Sequence, residues 1–256
     1  MTAPQEVSVT PELLQQILKL AGTKMILVGG QALAFWTAYY DIPTPAIAIT
    51  KDVDLIGTRA DVTRIARGLG AKAVFPSKRA LTLLKGQVLK EFSDGAYINI
   101  DVMFRVFGDI TTQAIVERSV PAENAAGQFR VMHPLDVLQG RLENVYGLPE
   151  KQDEHGIAQL RAAIGTARKF LADIASQEST GANKTRRPVA LGHIARIETM
   201  ALSDAGRKVA RRYEVHVADA IEPEPVAHIK AFVEKKLPQL MTLMSARRRA
   251  DLQKDA

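Results

Sequence analysis

Two short runs of this 256-residue chain carry carboxylates where strand patterning would present them together. In Thr50-Lys51-Asp52-Val53-Asp54-Leu55-Ile56-Gly57, two aspartates stand two residues apart. Side chains alternate between the faces of a strand, so Asp52 and Asp54 project together while Val53 and Leu55 turn into the core. Lys51 then faces away from the pair. In Tyr97-Ile98-Asn99-Ile100-Asp101-Val102-Met103-Phe104, the residues Ile98, Ile100, Val102 and Phe104 share one face, and Asn99 and Asp101 share the other. Side by side, the two strands would bring three carboxylates together. Such a cluster repels itself unless cations neutralise it, and hard oxygen donors select Mg²⁺ or Mn²⁺. A pair of these ions about 4 Å apart activates an attacking oxygen, orients a triphosphate and stabilises departing pyrophosphate. Gly29-Gly30 offers the complementary part: glycines let backbone N–H groups approach a phosphate closely, and a following helix adds its positive N-terminus.

The elements that must position these residues follow from local signals. Thr10-Pro11 opens a capped helix that ends at Gly22. Lys24–Val28 is an apolar run of strand length, and Gly29-Gly30 turns it into a helix, Gln31–Tyr40. After the Pro-containing loop, Ala46–Gly57 reads as one strand or two joined by a bend, and Thr58 caps the next helix. Gln87–Phe92 and Tyr97–Phe104 flank Ser93-Asp94-Gly95, a hairpin signal. Phe129–Met132 reads as a strand, Pro134 opens a helix through Tyr146, and Glu150–Ile174 reads as a longer helix. His133 is expected as a cap or loop residue. Trp36 with Phe35, Tyr39 and Tyr40 is expected mostly to pack in a core, with one exposed ring available to stack on a base. The fold class expected is α/β (α+β): a mixed sheet flanked by helices, followed by a helical C-terminal region.

The run LVGGQALAFW, then TKDVDLIG, then INIDVMF resembles the nucleotidyltransferase superfamily related to DNA polymerase beta. Its pattern is a hydrophobic-Gly-Gly turn, an Asp-x-Asp pair and a third Asp on a later strand. The resemblance implies that Asp52 and Asp54 hold the metals and that Asp101 completes one site and helps activate the acceptor. Thr50 falls where the family often has a hydroxyl. The stretch from Val131 to Leu160 is similar to the AbiEii-type branch, which includes toxins of toxin–antitoxin systems. There a Lys on one helix is followed by an Asp opening the next, a spacing met here by Arg141 and Asp153. Arg141 departs from the usual Lys, and Gly156 stands where a second Asp is common. An inter-helix ion pair and a nucleotide-phosphate role are both open for Arg141 and Asp153. The motifs cover Met25 to Leu160. The implied substrate is an NTP, ATP among them, and the implied acceptors are the tRNA 3′ end or other RNA, a protein hydroxyl or a small molecule. A cognate antitoxin is an implied partner.

Composition bounds these readings. The chain is 46% hydrophobic and 24% charged, too apolar for wholesale disorder. It has no cysteine, which excludes disulfides and thiolate metal sites. The five histidines show no paired ligand spacing, so a zinc site is not expected. No apolar run approaches the ~20 residues that cross a bilayer, and the N-terminus lacks a basic region ahead of an apolar stretch; a cytoplasmic protein with no membrane partner is expected. Three domain segments are expected: residues 1–175 as the nucleotidyltransferase domain with trailing helices, the polar stretch 176–188 as a linker, and 189–256 as a basic helical region. From Gly181 onward there are 15 Lys and Arg against 9 Asp and Glu, whereas the preceding residues hold 19 of each. All of the net charge of +6 thus lies in the last third, as RNA phosphate contact or a solvated basic surface would have it. Arg247-Arg248-Arg249 is part of that excess, as an RNA contact or a frayed tail.

Overall fold

The computed structural model describes residues 5–45, 50–77, 79–179, 188–229 and 232–242. The first four residues of the expected strand Ala46–Gly57, and Arg247-Arg248-Arg249, lie outside them. The chain divides into two compact units, one of Met1–Trp36 with Ala48–Gly140, the other of Thr37–Ile47 with Arg141–Ala256.

The first unit is built on a mixed sheet whose strands are β1 (Gln5–Glu6), β2 (Ile26–Val28), β3 (Val53–Ile56), β4 (Lys72–Val74), β5 (Leu84–Glu91), β6 (Ala96–Met103), β7 (Val120–Asn124) and β8 (Gly127–Val131). They lie in the order β4-β5-β6-β3-β2-β8-β7, with β1 also paired to β6. The β5–β6 hairpin turns at Asp94-Gly95, where Gly95 has φ +84°. Because β5 occupies one edge of β6 along its whole length, β1 and β3 must share the other edge, β1 opposite Ala96-Tyr97 and β3 opposite Ile100–Met103. That arrangement brings the chain's N-terminal strand to the start of β3.

Helix α1 (Pro11–Ala21) begins as its residues dictate, with the Thr10 hydroxyl accepting from the Leu13 N–H and Pro11 in the first turn. Helix α3 (Arg59–Leu69) has a capping box: Thr58 accepts from the Asp61 N–H while the Asp61 carboxylate accepts from the Thr58 N–H, and Gly70 ends the helix left-handed. These helices pack together, and α3 lies on β4, β5 and β6. Ile98, Ile100 and Val102 of β6, Val53 and Leu55 of β3 and Val88 of β5 are buried, which leaves the odd-numbered residues of β6 on the other, half-exposed face. Helix α4 (Thr112–Arg118) and strands β4 and β7 have weaker local signals than the rest and were not expected. Arg118 holds the fully buried Asp136 through three hydrogen bonds. Trp36 belongs to the core, its indole N–H donating to the Met132 carbonyl at 2.8 Å. His133 caps the next helix, its Nδ1 accepting from the Leu135 N–H.

Helices α2 (Gly29–Tyr39) and α5 (Pro134–Gly147) each cross from one unit's residues to the other's. The second unit continues with α6 (Glu154–Ser179), α7 (Val189–Leu202), α8 (Asp204–Tyr213), a 3₁₀ turn at Val217–Ala220 and a π turn at Phe232–Lys236. Leu160, Ala163, Ala167, Leu171 and Ala175 form a buried stripe along α6, and α6 packs on α7 and on the 3₁₀ turn. The expected domain segments are therefore divided differently. Helices past Arg141 group with the C-terminal residues, and 176–179, assigned to a linker by composition, are the last residues of α6. Their polarity marks an exposed helix end, because nothing in Ser-Gln-Glu-Ser stops a helix. Residues 180–187 of that segment lie outside the described ones. No helix among the described residues is long and apolar enough to cross a membrane.

Candidate functional site

Asp54 lies between the buried Val53 and Leu55, and its register partner on β6 is Asp101. Residues in register on adjacent strands point to the same face, and strand spacing sets their backbones about 4.8 Å apart. The same register puts Gln87 of β5 beside Asp101 and Val28 of β2 beside Asp54. The Asp101 side chain is held by two neutral donors: Oδ1 accepts from Gln87 Nε2 at 2.9 Å and from Asn99 Nδ2 at 2.7 Å. Asn99 in turn has a buried Oδ1 that no hydrogen bond of the described residues satisfies.

Asp52 comes one residue before β3 and is half-buried. It joins the cluster through Glu6, a residue that no motif or period in the sequence singles out. The Glu6 carboxyl is pushed above the ordinary carboxylate range, first by burial, then by the charge of Asp52 and a hydrogen bond shared with it, then by the charge of Asp101; Lys51 opposes the shift. Glu6 and Asp52 are thus close enough for each to feel the other. Along the common edge of β6 the acidic residues run in rank: Glu6 opposite Tyr97, then Asp52, then Asp54 opposite Asp101.

The glycine pair is required by this cluster before any ligand is considered. Gly29 has φ +64° and is the first residue of α2, so the strand-to-helix turn is made within the helix's opening residue. A Cβ on Gly29 would overlap the Asp54 carboxylate, and one on Gly30 would come within 2.5 Å of the Thr50 side chain. Thr50 and Asp54 are thereby held against the N-terminus of α2, whose dipole favours negative charge. Asp52, Asp54, Asp101, Gly29, Gly30 and Thr50 all belong to the first unit and are brought together there.

Arg141 and Asp153 belong to the second unit, where each has a local partner. Asp153 is the N-cap of α6, its Oδ1 accepting from the Gly156 N–H at 2.8 Å. Arg141 donates from Nη1 to Gln159 Oε1 at 2.8 Å. Gly156 stands where an aspartate is common in the resembled branch, and a Cβ there would run into the Lys151 carbonyl, so this chain's tight entry to α6 admits only glycine.

Among the described residues, no group of three or more His, Cys, Asp or Glu side chains is placed so that it could hold a metal ion. The donor set at the rank is all oxygen, and Mg²⁺ keeps several waters and binds through one or two carboxylates plus substrate phosphates, so a closed protein cage is not what that ion requires. Close carboxylates at Glu6, Asp52 and Asp101 and the unsatisfied Asn99 oxygen are features that a hard cation would relieve.

No family model matches the sequence, and no curated protein matches it. Among solved structures, the chain is similar to the crystal structure of JHP933 from Helicobacter pylori, at 12% identity and a TM-score of 0.38, with 92% of this chain and 94% of that chain covered. A similarity at that score carries no argument. The class rests on the chain's own geometry: a mixed α/β protein whose open mixed sheet, flanked by helices, carries a rank of carboxylates against a glycine-opened helix.

Proposed function

We propose that this chain is a metal-dependent nucleotidyltransferase of the DNA polymerase beta-like fold, moving a nucleoside monophosphate from an NTP to an acceptor. The observation that carries the reading is the register pairing of Asp54 with Asp101 on adjacent strands, with Asp52 at the same edge. Asp52, Asp54 and Asp101 would hold Mg²⁺ or Mn²⁺. When bound, such ions neutralise the triphosphate and the charge that develops on departing pyrophosphate. The Gly29 and Gly30 backbone and the α2 N-terminus favour a phosphate beside the rank, with the Thr50 hydroxyl next to them. The acceptor hydroxyl attacks the α-phosphorus, the bond to the β-phosphate oxygen breaks, and the hydroxyl proton passes to Asp101. Gln87 and Asn99 fix Asp101 through Oδ1, which leaves Oδ2 to take the proton. Roles for Arg141 and Asp153 toward the nucleotide rest on the resemblance alone, since their observed bonds give each a structural task.

RNA, tRNA among it, is the acceptor class favoured by the basic last third of the chain; a protein hydroxyl or a small molecule is the alternative. The AbiEii-like resemblance adds a toxin–antitoxin or defence role in the cytoplasm, which co-purification with a cognate antitoxin would support. A second reading has one observation in its favour: no group of three acidic or His side chains among the described residues could hold a metal ion, so the same rank suits a silent module that binds nucleotide without transfer. Incubation with each α-labelled NTP, Mg²⁺ and total tRNA or lysate separates the two. Wild type transfers label, and Asp52→Ala loses roughly 10³-fold, as removal of several kcal/mol of transition-state stabilisation requires. Equal transfer by both proteins refutes the mechanism, and NTP binding with no transfer by either supports the silent module.

A further inference from the structure

The second unit holds an open groove of about 590 Å³ between the last turn of α5 and one side of α8. Tyr146 and Gln152 form one wall, and Lys208, Arg211, Arg212 and Tyr213 the other. Helix α8 reaches this position because Gly206 sits directly against the Met200 and Ala201 carbonyls at the end of α7, where a Cβ would not fit. Val209 is buried beneath, and Lys208 and Arg212, one turn apart, point along the same row.

The side chains of this groove combine cations with aromatic faces. Tyr146 is 39% exposed. Lys208 Nζ lies 3.4 Å from the Tyr146 hydroxyl and 5.3 Å from its ring centre. The Arg212 guanidinium lies 5.2 Å over the Tyr213 ring and donates to Gln152 Oε1 at 3.0 Å. Both cations are held by neutral partners, so their charge is available to an anion. Among the described residues, no carboxylate lines the groove. An exposed ring next to cations one turn apart is how proteins take hold of an unpaired nucleic-acid strand: the base stacks on the ring and successive phosphates meet the cations. An acidic peptide would satisfy the charges but has no use for the ring face. A duplex would not present an unstacked base to a concave wall.

We infer that this groove binds single-stranded RNA, with one base against Tyr146 and the flanking phosphates on Lys208 and Arg212. The inference deepens the acceptor half of the proposed reaction and rests on that reading only for the choice of RNA over single-stranded DNA. Fluorescence anisotropy of a 12-nucleotide single-stranded RNA with the full chain tests it, in wild type, Lys208→Gln/Arg212→Gln, Tyr146→Ala, Tyr146→Phe and Asp52→Ala. The expected result is that the double variant loses at least about tenfold in affinity and its log–log salt slope falls by about 1.4, roughly 0.7 for each phosphate contact on a single strand. Tyr146→Ala loses about tenfold, Tyr146→Phe stays near wild type because stacking survives, and Asp52→Ala binds as wild type does. A single-stranded DNA of the same sequence that binds more tightly, polyglutamate that displaces the RNA at equal charge, or groove variants that bind as wild type would each overturn the assignment. Label transfer bears on the other reading: its absence with groove binding intact sinks the nucleotidyltransferase proposal alone, and its persistence in folded groove variants that bind RNA normally sinks this one alone.

Discussion

At the scale of single residues, the site is a problem of crowded negative charge, and Glu6 is where the crowding is measured. Its carboxyl lies above the usual range because burial, Asp52 and Asp101 all disfavour its ionised form. The folded chain therefore holds that proton more tightly than the unfolded chain. Its contribution to stability is complete below the unfolded pKa and is lost as pH rises through the folded one. Glu6→Gln removes the loss, so in metal-free buffer the variant's melting temperature should rise relative to wild type as pH is raised from the ordinary Glu value of about 4.3 upward. Added Mg²⁺ should narrow the gap. Parallel melting curves across the range would mean that Glu6 does not feel the aspartates. The aspartates themselves were legible from alternation, since Val53, Leu55, Ile100 and Val102 mark the buried face and leave Asp52, Asp54 and Asp101 opposite. Glu6 was not legible. It lies in a two-residue strand with no period of its own, and its place depends on a parallel pairing with residues some ninety positions away.

Elements convert that local pattern into a site by register. A one-residue slip of β3 against β6 would leave Asp54 beside a core position, so the core on one face specifies the carboxylate pair on the other. The helices that hold the sheet were readable from Thr10, Gly22 and Thr58, and the hairpin from Asp94-Gly95, because caps and turns are local chemistry. Strand order was not readable, for it depends on which edges meet. Gly29 shows where a local signal was read for only half of its meaning: a glycine suited to a phosphate turn is one on which Asp54 also rests. Gly29→Ala should cost about 2 kcal/mol or more in urea unfolding, from positive φ and overlap together, and should abolish label transfer by displacing Asp54. Gly95→Ala is the control, since its φ is also positive but its Cβ meets nothing; it should cost about 1 kcal/mol and leave transfer unchanged. If both variants keep transfer, the glycine turn does not support the site.

Across the whole molecule, the sequence puts the basic excess in the last third by arithmetic, and the compact units divide the chain at other positions than its composition does. Residues 176–179 of a stretch that reads as a linker are the exposed end of a 26-residue helix, and the grouping of α6 with α7 is set by a buried stripe whose partner no local window contains. The division of tasks that results is simple: a sheet-bearing unit with a rank of carboxylates, and a helical unit with cations and exposed rings. The claim on which the functional reading turns is that the rank takes up divalent cations in the presence of nucleotide. Electron paramagnetic resonance of free Mn²⁺, titrated into the chain with a non-hydrolysable NTP analogue, measures this directly. Wild type should remove one to two Mn²⁺ per chain from solution, and Asp54→Asn/Asp101→Asn, folded by circular dichroism, should remove none at the same concentrations. Uptake that is equal in the two proteins, or no uptake by wild type, would contradict the account.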